Sequence, residues 1–283
     1  MTRSLKSIAS GVLTLLGITD RGLFVPYRYA SSLKPPEGPY PAAEALMSAR
    51  RADFLQVIDS FAEYAPALRE RIMAGSVPWE DRGFFPKLDV VAAYALVRGR
   101  RPSRIVEIGS GASTHVLAAA LADNGRGDLT CIDPQPRRSI SDTGATVVQR
   151  TLVREDAARL NDFASDDILF IDSSHLVFAG SDVDIEFNHF FPRLPKGVLV
   201  HVHDIFLPDG YPAEWEERYF SEQNALMGWI VSGFFDIVYP SYYGATRLAE
   251  ELKRTLGDLC PEDMARNGGS IWLRRVGDPI VSG

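Results

Sequence analysis

Between residues 104 and 202 short apolar runs alternate with helix-patterned segments, and no other feature of the chain restricts its architecture as much. Residues 104–108, 129–132, 145–148, 167–171 and 197–202 read as strands, the fourth strongly apolar. Between them lie an Ala- and Leu-rich helix at 114–122 and helical patterns near 154–163 and 181–190. Strands buried on both faces are continuously apolar, and a helix is the usual crossover between parallel neighbours, so the stretch predicts βαβ units and a parallel sheet. The tail continues with a helix at 215–231, a strand at 234–240, a helix near 245–256 and a last strand at 269–274.

Residues 1–83 predict a helical region ahead of an α/β domain over 84–283. A proline-rich loop at 31–41 interrupts that region, helices resume over 42–71 with Leu46, Phe54, Val57, Ile58 and Phe61 in helical spacing, and 89–97 leads into the first strand. Leu5, Ile8, Val12 and Leu16 share one helical face, which suits a packing or dimerisation helix or a cover over a pocket, and a homo-oligomer is one outcome. The apolar run behind Arg3 and Lys6 is short, lacks a small-x-small cleavage site and falls well below spanning length, so no stable membrane anchor is expected.

The net charge of −7 with no basic stripe argues against a nucleic-acid partner. The Arg-rich stretch 98–104 reads as a solvated helix end in preference to a phosphate patch. Only two cysteines occur, Cys131 within an apolar strand and Cys260, with no CxxC pair. That excludes a disulfide framework or zinc knuckle and fits a reducing cytoplasm.

Residues 104–114 are a strand ending in a glycine-rich turn that opens a helix. Gly109 and Gly111 permit a tight turn and close approach of a ligand, with Ser110 and Ser113 beside them. The third glycine of a dinucleotide fingerprint is missing, because Thr114 stands there. Glu107 precedes the first glycine by two residues, and a carboxylate there repels a pyrophosphate but suits the cationic amino group of S-adenosylmethionine. Asp133 closes the second strand, where a carboxylate can grip both ribose hydroxyls of either cofactor. Leu152 is placed to wall the adenine.

Four segments, VEIGSGAS, CIDP, DILFIDSSH and GVLVHVHDIFLP, fall in this order on these elements. They resemble a bacterial family of class I S-adenosylmethionine-dependent methyltransferases related to catechol O-methyltransferase and the macrolide-sugar O-methyltransferases. The resemblance covers residues 84–275, including Phe85, Pro86 and Asp89. It implies a Rossmann-like, doubly wound, mostly parallel seven-stranded sheet with an antiparallel last strand, and methyl transfer to a small-molecule acceptor.

In such enzymes an acid closing the fourth strand and a pair closing the fifth bind a divalent cation that acidifies the acceptor hydroxyl. Residue by residue, Asp172 takes the first ligand position, His203 and Asp204 the second and third, and His175 the base position, with Asp172 also beside the cofactor. An imidazole with an ordinary pKa of about 6.5 suits that role. His203 departs from the pattern, since hard cations prefer oxygen. Three readings stay open: a transition metal such as manganese, iron or zinc on Asp172, His203 and Asp204; magnesium on the two carboxylates; or no metal.

Read as architecture alone, Asp172 caps a turn and His201 and His203 are interior histidines, with His201 otherwise standing behind a ligand. Two adjacent strand ends carrying Asp-x-x-His and His-x-His-Asp favour a site. Tyr211 and Trp215 follow in a loop that forms an acceptor wall or lid, or anchors the next helix, while Trp229 and Trp272 read as core. O-methylation by a His base of a sugar or secondary metabolite is the leading expectation. C- or N-methylation, metal-dependent oxidation and NAD-type oxidoreduction remain alternatives.

Overall fold

The computed structural model describes residues 5–19, 22, 27–34, 36–79 and 85–278. Four helices come first: α1 (Leu5–Leu15), α2 (Pro41–Ala49), α3 (Arg51–Met73) and α4 (Lys87–Arg100). There follow β1 (Arg104–Ile108), α5 (Ala112–Asn124), β2 (Asp128–Ile132), β3 (Thr146–Val148), β4 (Ile168–Ile171), α6 (Asp182–Ile185) and β5 (Leu199–His203). The chain closes with α7 (Glu222–Val231), β6 (Phe235–Pro240), α8 (Ser241–Arg247), α9 (Ala249–Leu256) and β7 (Ser270–Arg275).

The strands form one sheet in the order β3-β2-β1-β4-β5-β7-β6. Pairing is parallel from β3 through β5, whereas β7 runs antiparallel to both β5 and β6. The expected seven-stranded Rossmann-like sheet with its antiparallel last strand is therefore what the chain forms. β4 and β5 are buried along their whole length, as central strands covered on both faces must be.

Several helices differ from expectation for identifiable reasons. The pattern over 42–71 splits at Arg50, whose φ of −103° ends α2 one residue before α3. The segment near 154–163 is a 3-10 stretch, Arg154–Leu160, pinned by Asp156, which accepts from the Val153 amide and takes both amino ends of Arg150. The helix expected over 215–231 is a 3-10 turn, Ala213–Arg218, and then α7, separated by Tyr219 in the left-handed region. α7 starts where it does because the amides of Ser221 and Glu222 donate to the carbonyl of His175, at 2.9 and 3.2 Å. The pattern over 245–256 divides at Leu248 into α8 and α9.

α3 lies against α4, α9 and β6 and buries Phe54, Ile58, Phe61 and Leu68 in the common core, with Phe61 edge-on to Tyr239 at 5.2 Å. The Arg-rich stretch is spent on clamps. Arg98 donates to the Asn124 side chain, Arg100 to the Gly197 and Ser165 carbonyls, and Arg104 to the Asp162 carbonyl. Asp89 on α4 is fully buried and takes the Gly269 amide and the Ser241 and Ser270 hydroxyls, tying α4, α8 and β7 together behind the carboxyl ends of the strands. Among the described residues, no helix is long and apolar enough to cross a membrane.

Candidate active site

The glycine-rich turn is built by strand ends meeting. The Gly109 amide donates to the Ile132 carbonyl and the Asp172 amide to the Ile108 carbonyl, at 3.0 and 2.9 Å, which draws the ends of β1, β2 and β4 together. Gly109 has φ of +86°, and a Cβ there would overlap the Asp172 carbonyl oxygen, so the turn needs glycine on both counts. A Cβ on Gly111 would meet nothing within 4 Å, so the backbone there is open to a ligand.

Glu107 is fully buried under this turn. Its carboxylate accepts from the Ser113 and Thr114 hydroxyls and the Cys131 thiol, at 2.6, 2.8 and 3.0 Å. Burial raises its pKa to about 7 against the opposing pull of those three donors. Thr114, where a dinucleotide fingerprint would carry glycine, accepts from the Gly111 amide at 2.9 Å and so closes the loop onto Glu107. Asp133 accepts from the Ser110 hydroxyl and the Gln135 amide, both at 2.7 Å. Ser110 thereby ties the loop to the end of β2. Leu152 packs partly buried against the core, beside the Arg150–Asp156 pair.

Asp172, His175, His203 and Asp204 do converge, at the carboxyl ends of β4 and β5. His175 Nε2 lies 3.2 Å from Asp204 and 3.5 Å from Asp172, while Nδ1 lies 2.9 Å from Glu222. His175 and Asp204 both hold positive φ, 61° and 53°, conformations that L residues with side chains adopt at a cost of about 1 kcal/mol or more each. His175 is held there because its carbonyl caps α7 and the preceding Ser174 is bonded by amide and hydroxyl to Asp182.

Electrostatics follows from this crowding. Burial lowers the His175 pKa, but the hydrogen bonds to Asp172 and Glu222 and the nearby Asp204 outweigh it and hold the value well above ordinary. Burial pushes Asp172 up, yet the charges of His203 and His175 bring it below the usual range. His203 Nε2 sits 3.6 Å from Asp204, and the acids around it raise its pKa in spite of burial. His201 is different. It lies fully buried in the core, stacked on Phe170 at 3.8 Å with neither ring nitrogen partnered among the described residues, and burial drives its pKa well down, so it is a neutral interior histidine.

The three residues expected to hold a metal thus share a corner, but Asp172 and Asp204 both face the imidazole of His175. Among the described residues, no group of three or more His, Cys, Asp or Glu side chains is set to hold a metal ion.

Two buried acids were not anticipated. Glu222 supports His175, and Glu186 lies behind it in a π-helical turn following α6, accepting from Ser173 at 3.2 Å. Burial raises both pKa values, and the charge of Glu222 adds to the rise of Glu186. An acid in the first turn of a helix reads as dipole compensation, so nothing local distinguished Glu222. Beyond β5 the rings of Phe206, Tyr211, Trp215 and Phe220 meet edge to face, and Phe220 packs against His175 at 4.7 Å. Tyr211 and Trp215 therefore belong to an aromatic wall reaching the imidazole. Trp272 is core and Trp229 half-buried against Phe191 and Phe234.

Residues 106–205 match the model of a family described as a methyltransferase domain. No curated protein matches the chain by sequence. Among solved structures, the O-methyltransferase TomG from Streptomyces achromogenes, crystallised with SAM, is 17% identical over 88% of this chain and 95% of its own, with a TM-score of 0.40. The methyltransferase PaMTH1 from Podospora anserina, bound to SAH, is 14% identical over 90% of this chain and 100% of its own, at 0.40. A methyltransferase from Geobacter sulfurreducens is 17% identical over 87% and 93%, at 0.37.

Proposed function

We infer that this chain, whose residues 106–205 match a methyltransferase-domain family, is a class I, S-adenosylmethionine-dependent enzyme that transfers a methyl group to a hydroxyl of a small molecule, with His175 as the base. The observation that carries the reading is His175 itself, braced by Glu222 at one nitrogen and presenting the other between two carboxylates at the strand ends beside the glycine-rich turn.

Gly109, Ser110, Gly111 and Ser113 would hold the amino-acid end of the cofactor, Glu107 shaping the loop through the Ser113 and Thr114 hydroxyls. Asp133 would take the ribose and Leu152 the adenine. The cofactor supplies an electrophilic methyl group. An acceptor hydroxyl entering between Asp172 and Asp204 would displace their contact with Nε2 and with it the pull that keeps the ring charged. Nε2 would first release its own proton to solvent and then take the hydroxyl's proton as the oxygen attacks. Glu222 keeps Nδ1 protonated and stabilises the imidazolium. Little else is asked of the protein beyond alignment.

Residues 1–83 supply a cover in this reading. The Tyr40 amide donates to the Pro208 carbonyl at 2.8 Å and its hydroxyl accepts from Asn224, so the start of α2 lies over the loop that carries the aromatic wall. The exposed apolar residues of α1 would join two copies, and the unpaired cysteines favour a cytoplasmic location.

Calorimetry tests the reading: S-adenosylhomocysteine should bind and NAD should not, and the reverse sinks it. His175→Ala should abolish turnover with cofactor affinity near wild type, and wild-type turnover in that variant removes the base. Turnover retained in chelator keeps the metal-free course, whereas loss restored by magnesium or manganese assigns a cation to Asp172, His203 and Asp204.

A further inference from the structure

The end of the sheet opposite the strand-end corner of His175 carries a cleft of 860 Å³. It lies between the 3-10 turn Phe191–Arg193, the loop into β5 and the end of β7. Because β7 runs antiparallel to β5, Arg275 stands beside Val198, where the parallel strands begin, about 20 Å of extended chain away from Asp204. Arg193, Lys196, His189 and Arg275 line the cleft together with Leu160 and Leu194, and among the described residues no acidic side chain lines it.

Arg275 is the anomaly. It is 1% exposed, and its Nε and Nη1 are buried without a hydrogen-bond partner among the described residues. Three other part-buried arginines find carboxylates, Arg247 taking Asp209, Arg71 Asp123 and Arg50 Asp236, while Arg100 at least spends Nη2 on two carbonyls. Arg275 has the face of Phe234, 4.0 Å from its guanidinium carbon, and a cation–π contact offsets only part of the cost of taking a guanidinium out of water. Asp278, whose charge reaches it, is itself paired with Lys196 at 2.6 Å. Arg193 donates to the His189 carbonyl at 3.1 Å and has no carboxylate partner among the described residues. A buried guanidinium with two donors left over, at the wall of a basic cleft, is the kind of group that an anion's oxygens satisfy.

We propose that this cleft binds a small organic anion, its phosphate or carboxylate head on Arg275 and Arg193 and its apolar body against Leu160, Pro192 and Leu194. The volume falls within the range of roughly 300–1,000 Å³ typical of small-molecule sites and exceeds what a bare phosphate fills. The site shares no residue with the methyltransferase corner, so it stands or falls separately.

Calorimetry on the full chain with phenyl phosphate and benzoate tests it, S-adenosylhomocysteine binding serving as an independent control. One of the two probes should saturate at one site per chain, and which one does identifies the head. Arg193→Ala should weaken that binding about tenfold, the worth of one charge-assisted hydrogen bond. Asp278→Ala, which releases Lys196, should tighten it. Neither variant should alter S-adenosylhomocysteine affinity. Arg275→Met should abolish probe binding while keeping the stem's packing, and if that variant does not fold, Arg193→Ala decides alone. No saturable binding of either probe, or equal binding by wild type and Arg193→Ala, overturns the proposal.

Discussion

Glu107 shows how one residue can be legible in kind and not in role. A carboxylate at the end of the first strand is visible in the sequence, and its charge argued for a cationic cofactor. Only the fold shows that the group is sealed beneath the loop, its oxygens occupied by Ser113, Thr114 and Cys131. A testable consequence follows from its raised pKa. The unfolded glutamate titrates near its ordinary 4.5 and the folded one at about 7, so the native state holds the proton more tightly. The stabilisation this brings is complete below pH 4.5 and is lost as pH rises through 7. Glu107→Gln removes the titration. In urea unfolding, its stability relative to wild type should therefore rise by about 3 kcal/mol between acid and mildly alkaline pH, whatever constant offset the amide introduces. A difference that stays flat with pH would show that Glu107 does not titrate in that window. Glu222 is the opposite case. Forty-seven positions separate it from His175, and no local pattern marks a partner so distant.

Among elements, the loop after β5 would shape the acceptor side in the proposed reaction. Arg247 of α8 grips Asp209 through two bonds, of 2.7 and 2.8 Å, and reaches Glu44 of α2 at 3.2 Å, fastening the loop that bears Tyr211 and Trp215. The cluster is partly exposed, so its worth to global stability is modest, about 1 kcal/mol. Its worth to positioning is larger. Arg247→Ala should raise the acceptor KM severalfold while S-adenosylhomocysteine affinity stays at the wild-type value. An unchanged KM would detach this loop from acceptor binding. Strands were legible almost to the residue because continuous apolar runs bounded by turns have few alternatives. Helices around the site were less so. α7 begins at Glu222 because the carbonyl of His175 is there to accept its first amides, a tertiary fact that periodicity does not encode.

At the scale of the molecule, α1 and the turn that ends it leave Ile8, Val12 and Leu16 between 47% and 66% exposed, an apolar face without cover in a single copy. If that face joins two copies, sedimentation should show concentration-dependent association that is lost on Ile8→Ser, Val12→Ser and Leu16→Ser together, with unfolding of the remaining domain unchanged. Association that survives the triple substitution assigns the interface elsewhere.

By itself the sequence determined the α/β class, the strands, the glycine-rich cradle and the four residues at the carboxyl ends of β4 and β5. All of these are local: apolar periodicity, turn chemistry and strand ends are written within a few residues of one another. The tertiary structure alone decided that β7 enters antiparallel, that His201 is a core histidine and that His175 leans on Glu222. It also buried Glu107 and left two nitrogens of Arg275 without a hydrogen-bond partner among the described residues. Those outcomes depend on which distant groups are brought out of water together, and burial, which sets both the cost of a charge and the need for its partner, exists only once the chain has closed on itself.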